Sequence, residues 1–388
     1  MFRILHLADL HLGWEPRFMA PDRRAERRRR RDGLLARAVD FALDERHRVG
    51  LVVIAGDLFE THRPEERLVQ EVLAQLRRLE DGGIPVVTVP GNHDEITYHD
   101  SVYRRFAAAW PGVLVQNPLP AHVATLTVAG QPVHVYSLAY TGGLTPVGAP
   151  LATFPRLDEP GFHLAVFHGT LGTWAGDRSL PLDREALGRA GYDYVALGHI
   201  HQALEERLGS TPAVYAGAVE GKGFDDPGTG VLTLVEVEPG RGVVAVRRQP
   251  VAFQPMETLV IDAGSFPDAA ALGDYLAGLA GPDRILRVRL EGAPAFAVDG
   301  EALVAEHGSR FFHLAVFHGT LGEWGGERSL PLDREARGRA GYDYVALGHI
   351  HQPLEERLGD TPAVYCGAVE GKGFDDPGAG CWTLVEVS

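Results

Sequence analysis

Seven side chains able to bind a metal through nitrogen or oxygen stand in five short motifs, each placed after an apolar run. They are Asp9 and His11 in ADLHLG, Asp57 in GDLF, Asn92 in GNHD, His168 in HGT, and His199 and His201 in GHIH. Mixed carboxylate, imidazole and amide donors suit Mn²⁺, Fe²⁺ or Zn²⁺, whereas Ca²⁺ takes oxygen alone. The donors are too many for one ion, and a single shared carboxylate could bridge two. Two ions about 3.5–4 Å apart clamp the attacking and leaving oxygens of a phosphoryl displacement. The residue types therefore point to hydrolysis of a phosphate ester. One D-x-H or one G-H-x-H carries little weight, because a histidine taken singly reads as a core or capping residue. The ordered set of five is specific.

The flanking patterns supply the elements that must position these groups. Arg3–Ala8 reads as a strand, and residues 25–47 as a helix with Leu34, Leu35, Val39 and Ala42 at helical spacing. Leu51–Ala55 and Ile84–Val89 are continuous apolar runs, as in buried parallel strands, with a helical pattern at Glu65–Leu79 between them. This βαβαβ order predicts a layered α/β domain. From about residue 120 the pattern changes to short strands at 122–128, 132–138, 163–167, 193–197, 213–216, 231–237 and 242–248. Residues 257–291 read strand, helix, strand, and 293–310 a connector. In α/β sheets, ligands bind beyond the carboxyl ends of the strands, and that is where all five motifs fall.

Taken in this order, ADLHLG, GDLF, GNHD, HGT and GHIH resemble the calcineurin-like metallophosphoesterases. The form ADLHLG, with the late strand–helix–strand segment, resembles their SbcD-type branch of DNA-repair exonucleases. The resemblance covers residues 1 to about 290. It implies an α/β fold: a four-layer αββα metallophosphoesterase sandwich with a small α/β capping domain. It also implies one ion held by Asp9, His11, Asp57 and His201, and a second by Asp57, Asn92, His168 and His199. His93 would protonate the leaving oxygen, and Asp94 would orient His93. The expected function is a metal-dependent DNA exonuclease or endonuclease in end processing and repair, with two divalent ions, Mn²⁺ by preference. DNA, an SbcC-type ATPase and a second copy of the chain are the implied partners. Where some members carry a histidine three residues after the bridging aspartate, this chain has Glu60, with His62 two further on.

Residues 162–237 recur at 312–387, offset by 150, with 66 of 76 positions identical. Such similarity reads as a recent in-frame duplication or as an error of gene assembly. The predicted domains are a nuclease domain at 1–250, a capping domain and connector at 257–308, and a C-terminal partial duplicate of the catalytic domain at 309–388. The duplicate repeats three candidate ligands as His318, His349 and His351 but has no counterpart of Asp9, His11, Asp57 or Asn92. Copy one is expected to complete the site. The rival is that copy two replaces it, within the chain or between subunits. An unpaired half-domain also predicts homo-oligomers.

Other residues admit two readings. Arg23, Arg24 and Arg27–Arg31 are either DNA phosphate contacts or a solvated helix face balanced by Asp22, Glu26 and Asp32. Lys222 could touch a phosphate or sit in a turn, and Trp14 could stack on a base or pack. His6, His134 and His163 fall within strands and read as structural. The net charge of −15 argues against a simple electrostatic nucleic-acid binder, though bound metals and local basic patches reshape such a field. No run approaches the ~20 apolar residues of a membrane helix, so no membrane partner is expected. The opening MFRILHLADLHLG reads as a strand rather than a signal peptide, and two cysteines, Cys366 and Cys381, make no disulfide framework. A cytoplasmic location follows as an expectation. The alternatives to a nuclease are a phosphoesterase for small phosphodiesters or phosphoproteins, and a scaffold disabled by the duplication.

Overall fold

The structure is a computed structural model. It describes residues 1–142, 150–172, 178–226, 228–251, 254–292, 294–318, 345–347, 354–358 and 361–365. The chain divides into two units, Met1–Met256 and Glu257–Ser388.

In the first unit, the strands are β1 (Phe2–Leu7), β2 (Val49–Ala55), β3 (Val86–Val89), β4 (Val113–Leu114), β5 (Ala121–Val128), β6 (Gln131–Ser137), β7 (Phe162–His168), β8 (Thr170–Leu171), β9 (Pro181–Leu182), β10 (Tyr194–Gly198), β11 (Leu204–Leu208), β12 (Thr211–Tyr215), β13 (Val231–Glu238) and β14 (Gly242–Pro250). The helices are α1 (Pro21–Asp32), α2 (Leu34–Leu43), α3 (Glu66–Asp81), α4 (Val102–Arg105) and α5 (Arg184–Arg189). Two six-stranded sheets form, in the orders β14-β13-β1-β2-β3-β4 and β11-β12-β10-β7-β6-β5. Their central strands are parallel (β1 to β4, and β6-β7-β10-β12), with antiparallel strands at the flanks.

Period-2 alternation explains the layering. Leu164 and Val166 of β7, and Tyr194 and Ala196 of β10, join a core shared with the first sheet. Ala165, Phe167, Val195 and Leu197 alternate with them and build a second core on the other face, where Leu187 of α5 packs. The first core also takes the apolar stripes of α2 and α3, including Leu34, Val39, Leu68 and Leu76. This is the αββα arrangement.

The single helix predicted over 25–47 is instead α1 and α2, separated at Gly33. The physical reason lies in their inward faces. α2 buries five aliphatic side chains, whereas α1 buries only Arg27 and Arg31. Those two arginines have no exposed surface, which corrects the phosphate-contact reading for them. Arg27 Nη1 donates to Glu220 Oε1 at 2.6 Å. Arg31 donates to the carbonyls of Leu10 at 3.0 Å and Glu220 at 2.9 Å, and also to that of Gly221. Its guanidinium lies 4.8 Å from the centre of the Trp14 ring, so Trp14 has a packing role. Arg28, Arg29 and Arg30 pair with Glu15, Glu65 and Glu26.

In the second unit, β15 (Met256–Asp262), α6 (Ala269–Gly278) and β16 (Gly281–Glu291) follow the predicted strand, helix and strand. Within the stretch read as a connector, α7 (Gly300–His307) forms and contributes Leu303 to a third core. β17 (Phe311–His318) then opens the second copy. It repeats the FHLAVFH of β7 but has different neighbours: β7 lies between β6 and β10, whereas β17 pairs in parallel with β16. The strands β18 (Val345–Leu347), β19 (Leu354–Leu358) and β20 (Thr361–Tyr365) form a separate sheet in the order β18-β20-β19. It keeps the register of copy one, with Val345 opposite Ala363 as Val195 is opposite Ala213. Cys366 and Cys381 lie outside the described residues.

Glu220→Leu leaves two buried guanidiniums without their carboxylate and should cost about 3–5 kcal/mol in urea unfolding. Adding Arg27→Met should recover much of that loss, and an unchanged unfolding midpoint for the single variant would show that the pair is not buried in solution. His6 lies in β1 with its Nδ1 3.1 Å from the Tyr194 hydroxyl, and burial, aided by the Arg248 charge, lowers its pKa to about 3. Between its usual value and about 3 the unfolded chain binds the extra proton, so His6 removes stability as pH falls through that window. Stability measured across it should fall less steeply in His6→Leu, by up to about 1.4 kcal/mol per pH unit. Parallel pH profiles would contradict this account.

Candidate metal centre

All five motifs lie at or just beyond the carboxyl ends of parallel strands. β1 leads into Asp9 and His11, β2 into Asp57, and β3 into Asn92, His93 and Asp94; β7 ends on His168, and β10 leads into His199 and His201. Both sheets thus contribute to one place. Backbone bonds lace the first two loops together, from Asp9 N to Gly56 O at 3.1 Å and from His11 N to Asp57 O at 3.0 Å. Four of the seven candidate ligands adopt left-handed backbone: Asp9 (φ 54°), His11 (φ 47°), Asp57 (φ 51°) and His199 (φ 95°). Such residues cost of order 1–3 kcal/mol each and persist where their surroundings over-determine them. Two glycines permit the close approach. A Cβ at Gly56 would overlap the His168 imidazole, and one at Gly91 would overlap the Asp57 carboxylate.

The donors converge. His11 Nε2 lies 3.1 Å from His201 Nε2 and 3.7 Å from Asp57 Oδ2. Asn92 Oδ1 lies 2.8 Å from His168 Nε2 and 3.0 Å from His199 Nδ1. His168 Nε2 is 3.5 Å from Asp57 Oδ2, and His201 Nε2 is 4.0 Å from Asp9 Oδ1. Ligand atoms of Asp9, His11 and His201 fall within 4.8 Å of one another, as do those of Asp9, Asp57 and His168, and those of His11, Asp57 and His93. Asp9, His11 and Asp57 each belong to two of these groups, and Asp57 Oδ2 lies within 3.7 Å of both His11 Nε2 and His168 Nε2. Asp9, His11, Asp57, Asn92 and His168 are all buried. Two buried carboxylates among imidazole nitrogens that face one another form a donor set suited to divalent cations.

Charge and burial act together here. Burial holds the His11 and His199 imidazoles down at about 3, in the neutral form that binds metal. Burial also pushes Asp9 up to about 6, although His201 and His168 act to lower it. For Asp57 burial is opposed and overcome by His168, His11 and His93, which hold it well below the usual carboxylate range. Burial would lower His168, but the Asp57 carboxylate raises it to about 9.

Second partners orient the rings. His168 Nδ1 lies 2.9 Å from the Ala55 carbonyl, and His201 Nδ1 lies 2.6 Å from Asp226 Oδ2. His11 Nδ1 is 2.9 Å from Glu60 Oε2. The His93 backbone N–H donates to Asp57 Oδ1 at 2.8 Å, and its Nδ1 lies 3.2 Å from the Glu60 carbonyl. Asp94 does not orient His93. Its buried carboxylate accepts from Gly91 N at 2.7 Å, Phe59 N at 3.0 Å and Tyr103 Oη at 2.7 Å, so it fastens the GNHD turn to the loop after β2. The His93 ring instead meets Glu60 and packs edge-on against the His11 ring, with ring centres 4.6 Å apart. In the sequence Glu60 is marked only as a departure from the family pattern, and Asp226 falls in a stretch, DDPG, that no motif marks. His62 is outside the cluster, stacked on Tyr98 with ring centres 4.1 Å apart.

The three copy-one histidines complete the cluster with Asp9, His11, Asp57 and Asn92. His318 ends β17 in the sheet of the second unit, and His349 and His351 lie outside the described residues.

Comparison with known proteins agrees with this geometry. A DNA double-strand break repair protein Mre11 of Methanopyrus kandleri is 28% identical over 258 residues, covering 62% of this chain and 51% of that protein. A Haloferax volcanii protein of the same name is 26% identical over 323 residues, covering 79% of this chain and 67% of that protein. The uncharacterized metallophosphoesterase YhaO of Bacillus subtilis is 25% identical over 198 residues, covering 50% of this chain and 47% of that protein. The chain thus spans about half to two thirds of the length of these relatives. The family model for calcineurin-like phosphoesterases matches residues 2–203, a span that ends just past the last histidine of the cluster. The chain belongs to the calcineurin-like phosphoesterases.

Proposed function

We propose that this chain is a metal-dependent phosphodiesterase, and specifically a nuclease that processes DNA ends. The observation that carries the reading is the convergence of the seven donors in a chain whose similar proteins include DNA double-strand break repair proteins. One ion is assigned to Asp9, His11, Asp57 and His201, and the other to Asp57, Asn92, His168 and His199, with Mn²⁺ as the metal. Held there, two divalent ions would supply Lewis-acid polarisation of the phosphate and activation of a water. An SbcC-type ATPase partner, self-association and a cytoplasmic location belong to the same proposal. Among the described residues no helix is long and apolar enough to cross a membrane.

The chain's own groups have distinct tasks in this reading. Asp226 and the Ala55 carbonyl fix the His201 and His168 rings, and such outer partners strengthen metal binding. His93 is partly exposed at the edge of the cluster. When its Nδ1–H donates to the Glu60 carbonyl, Nε2 is left as the nitrogen that can carry a proton to the leaving oxygen. Its backbone N–H holds an Asp57 oxygen, so the acid and the shared carboxylate keep a fixed separation.

The test is cleavage of an end-labelled linear duplex in Mn²⁺ and in chelator. Metal-dependent release of nucleotides from the ends is expected. Cleavage of a small phosphodiester without cleavage of DNA would overturn the nuclease reading. His93→Gln should lower kcat by about 10²–10⁴-fold. His199→Ala should abolish activity while His349→Ala retains it; the reverse pattern would assign the site to copy two.

A further inference from the structure

Two cations border the ligand cluster and have no part in the scheme above. Lys222 is one of two lysines in a chain with 37 basic residues and a net charge of −15. Its Nζ lies 2.8 Å from Glu60 Oε2, beside His11. Arg178 stands beside the other ligand group. It donates to the Asn92 carbonyl, and its Nη2 lies 3.2 Å from Glu95 Oε1. The Lys222 side chain is 19% exposed and that of Arg178 52%.

Neither cation is carried on an unanchored turn. Glu220 and Gly221, just before Lys222, are gripped by the buried Arg27 and Arg31. Asp226 accepts from the Lys222 backbone N–H at 3.2 Å and also contacts His201. Arg178 has left-handed backbone (φ 65°), and the residues after it are tied back to β8 through Ser179–Thr170 and a 2.8 Å bond from Thr170 N to Leu180 O. Each cation rests against one glutamate, so a phosphate oxygen can replace a carboxylate oxygen without the backbone moving.

A small phosphodiester offers one phosphate, and the metal ligands account for it. A polynucleotide offers further phosphates on both sides. We propose that Lys222 and Arg178 bind the phosphates flanking the scissile one, so that the site selects a polynucleotide over a small phosphodiester. Lysine would act as a point charge and arginine as a fork matched to two phosphate oxygens. This rests on the nuclease reading and assigns its substrate contacts.

The experiment measures binding of a fluorescein-labelled duplex by anisotropy, in chelator and in Ca²⁺, across a salt series. Each of Lys222→Gln and Arg178→Gln should weaken binding several-fold and lower the slope of log affinity against log salt by about one, with the double variant losing about two. On Mn²⁺-loaded protein, the loss of kcat/KM on duplex should exceed the loss on bis(4-nitrophenyl) phosphate by tenfold or more. Lys222→Arg should restore the salt slope, which also guards against a variant that fails to fold. Unchanged slopes, or equal losses on the two substrates, would overturn the assignment. So would a fall in Mn²⁺ affinity by calorimetry that matches the loss of duplex binding, because Lys222 would then only position Glu60. Wild-type protein that cleaves the small diester but binds no duplex would overturn both this proposal and the nuclease reading. Wild-type protein that binds duplex as tightly as the variants do would overturn this proposal alone.

Discussion

Two guanidinium groups with no exposed surface hold the loops around the metal centre together. Arg27 and Arg31 lie one helical turn apart on α1 and share Glu220. Arg31 also binds the carbonyl of Leu10, the residue between the candidate ligands Asp9 and His11. One ion-paired cluster therefore links the loop after β1 to the loop that carries Lys222 and Asp226. Taking such charges out of water costs several kcal/mol per ion, and the loss is offset only when partners and hydrogen bonds are nearly complete. The gain is geometric: the loop whose Asp226 meets His201 and whose Lys222 meets Glu60 is held against the loop of Asp9 and His11.

The ligand cluster is under tension of its own. Four of its residues hold left-handed backbone, and two of its carboxylates are buried close together. Asp9 and Asp57 respond in opposite directions, one pushed up by burial and the other held down by three histidines. Divalent cations would relieve that opposition by supplying positive charge between the carboxylates. The Asp94 carboxylate shows the contrasting use of a buried acid. Burial raises it to about 7, and three donors make it a fastener for two loops.

Much of this was legible in the sequence, because a buried strand ending in a polar ligand is a strong local pattern. The apolar runs before Asp9, Asp57 and His168 placed the strands, and the five motifs anticipated which side chains converge. Other features depended on tertiary contacts that no local pattern encodes. The arginines of α1 read equally as phosphate contacts or as a solvated face, since burial of Arg27 and Arg31 is visible only once Glu220, nearly 200 positions away, is in place. Asp94 lies next to His93 in sequence, yet its side chain turns to Phe59 and Tyr103. Asp226 stands in a stretch without a motif, and Glu60, directly after GDLF, is not the residue type the family pattern would mark. The repeated FHLAVFH enters two different sheets, so neighbours rather than sequence decide its pairing. Leu187, fully buried in copy one, is matched by Arg337 in copy two, a charge that the copy-one packing would not accept.

The central claim is that copy-one histidines complete a two-ion centre around Asp57. Its most direct test is the stoichiometry of Mn²⁺ binding to the purified full chain, by calorimetry and by elemental analysis, for wild type and Asp57→Asn. The account predicts two ions per chain in the wild type, with loss of both or of all tight binding when the shared carboxylate is removed. One ion per chain, or two ions retained in Asp57→Asn, would contradict it.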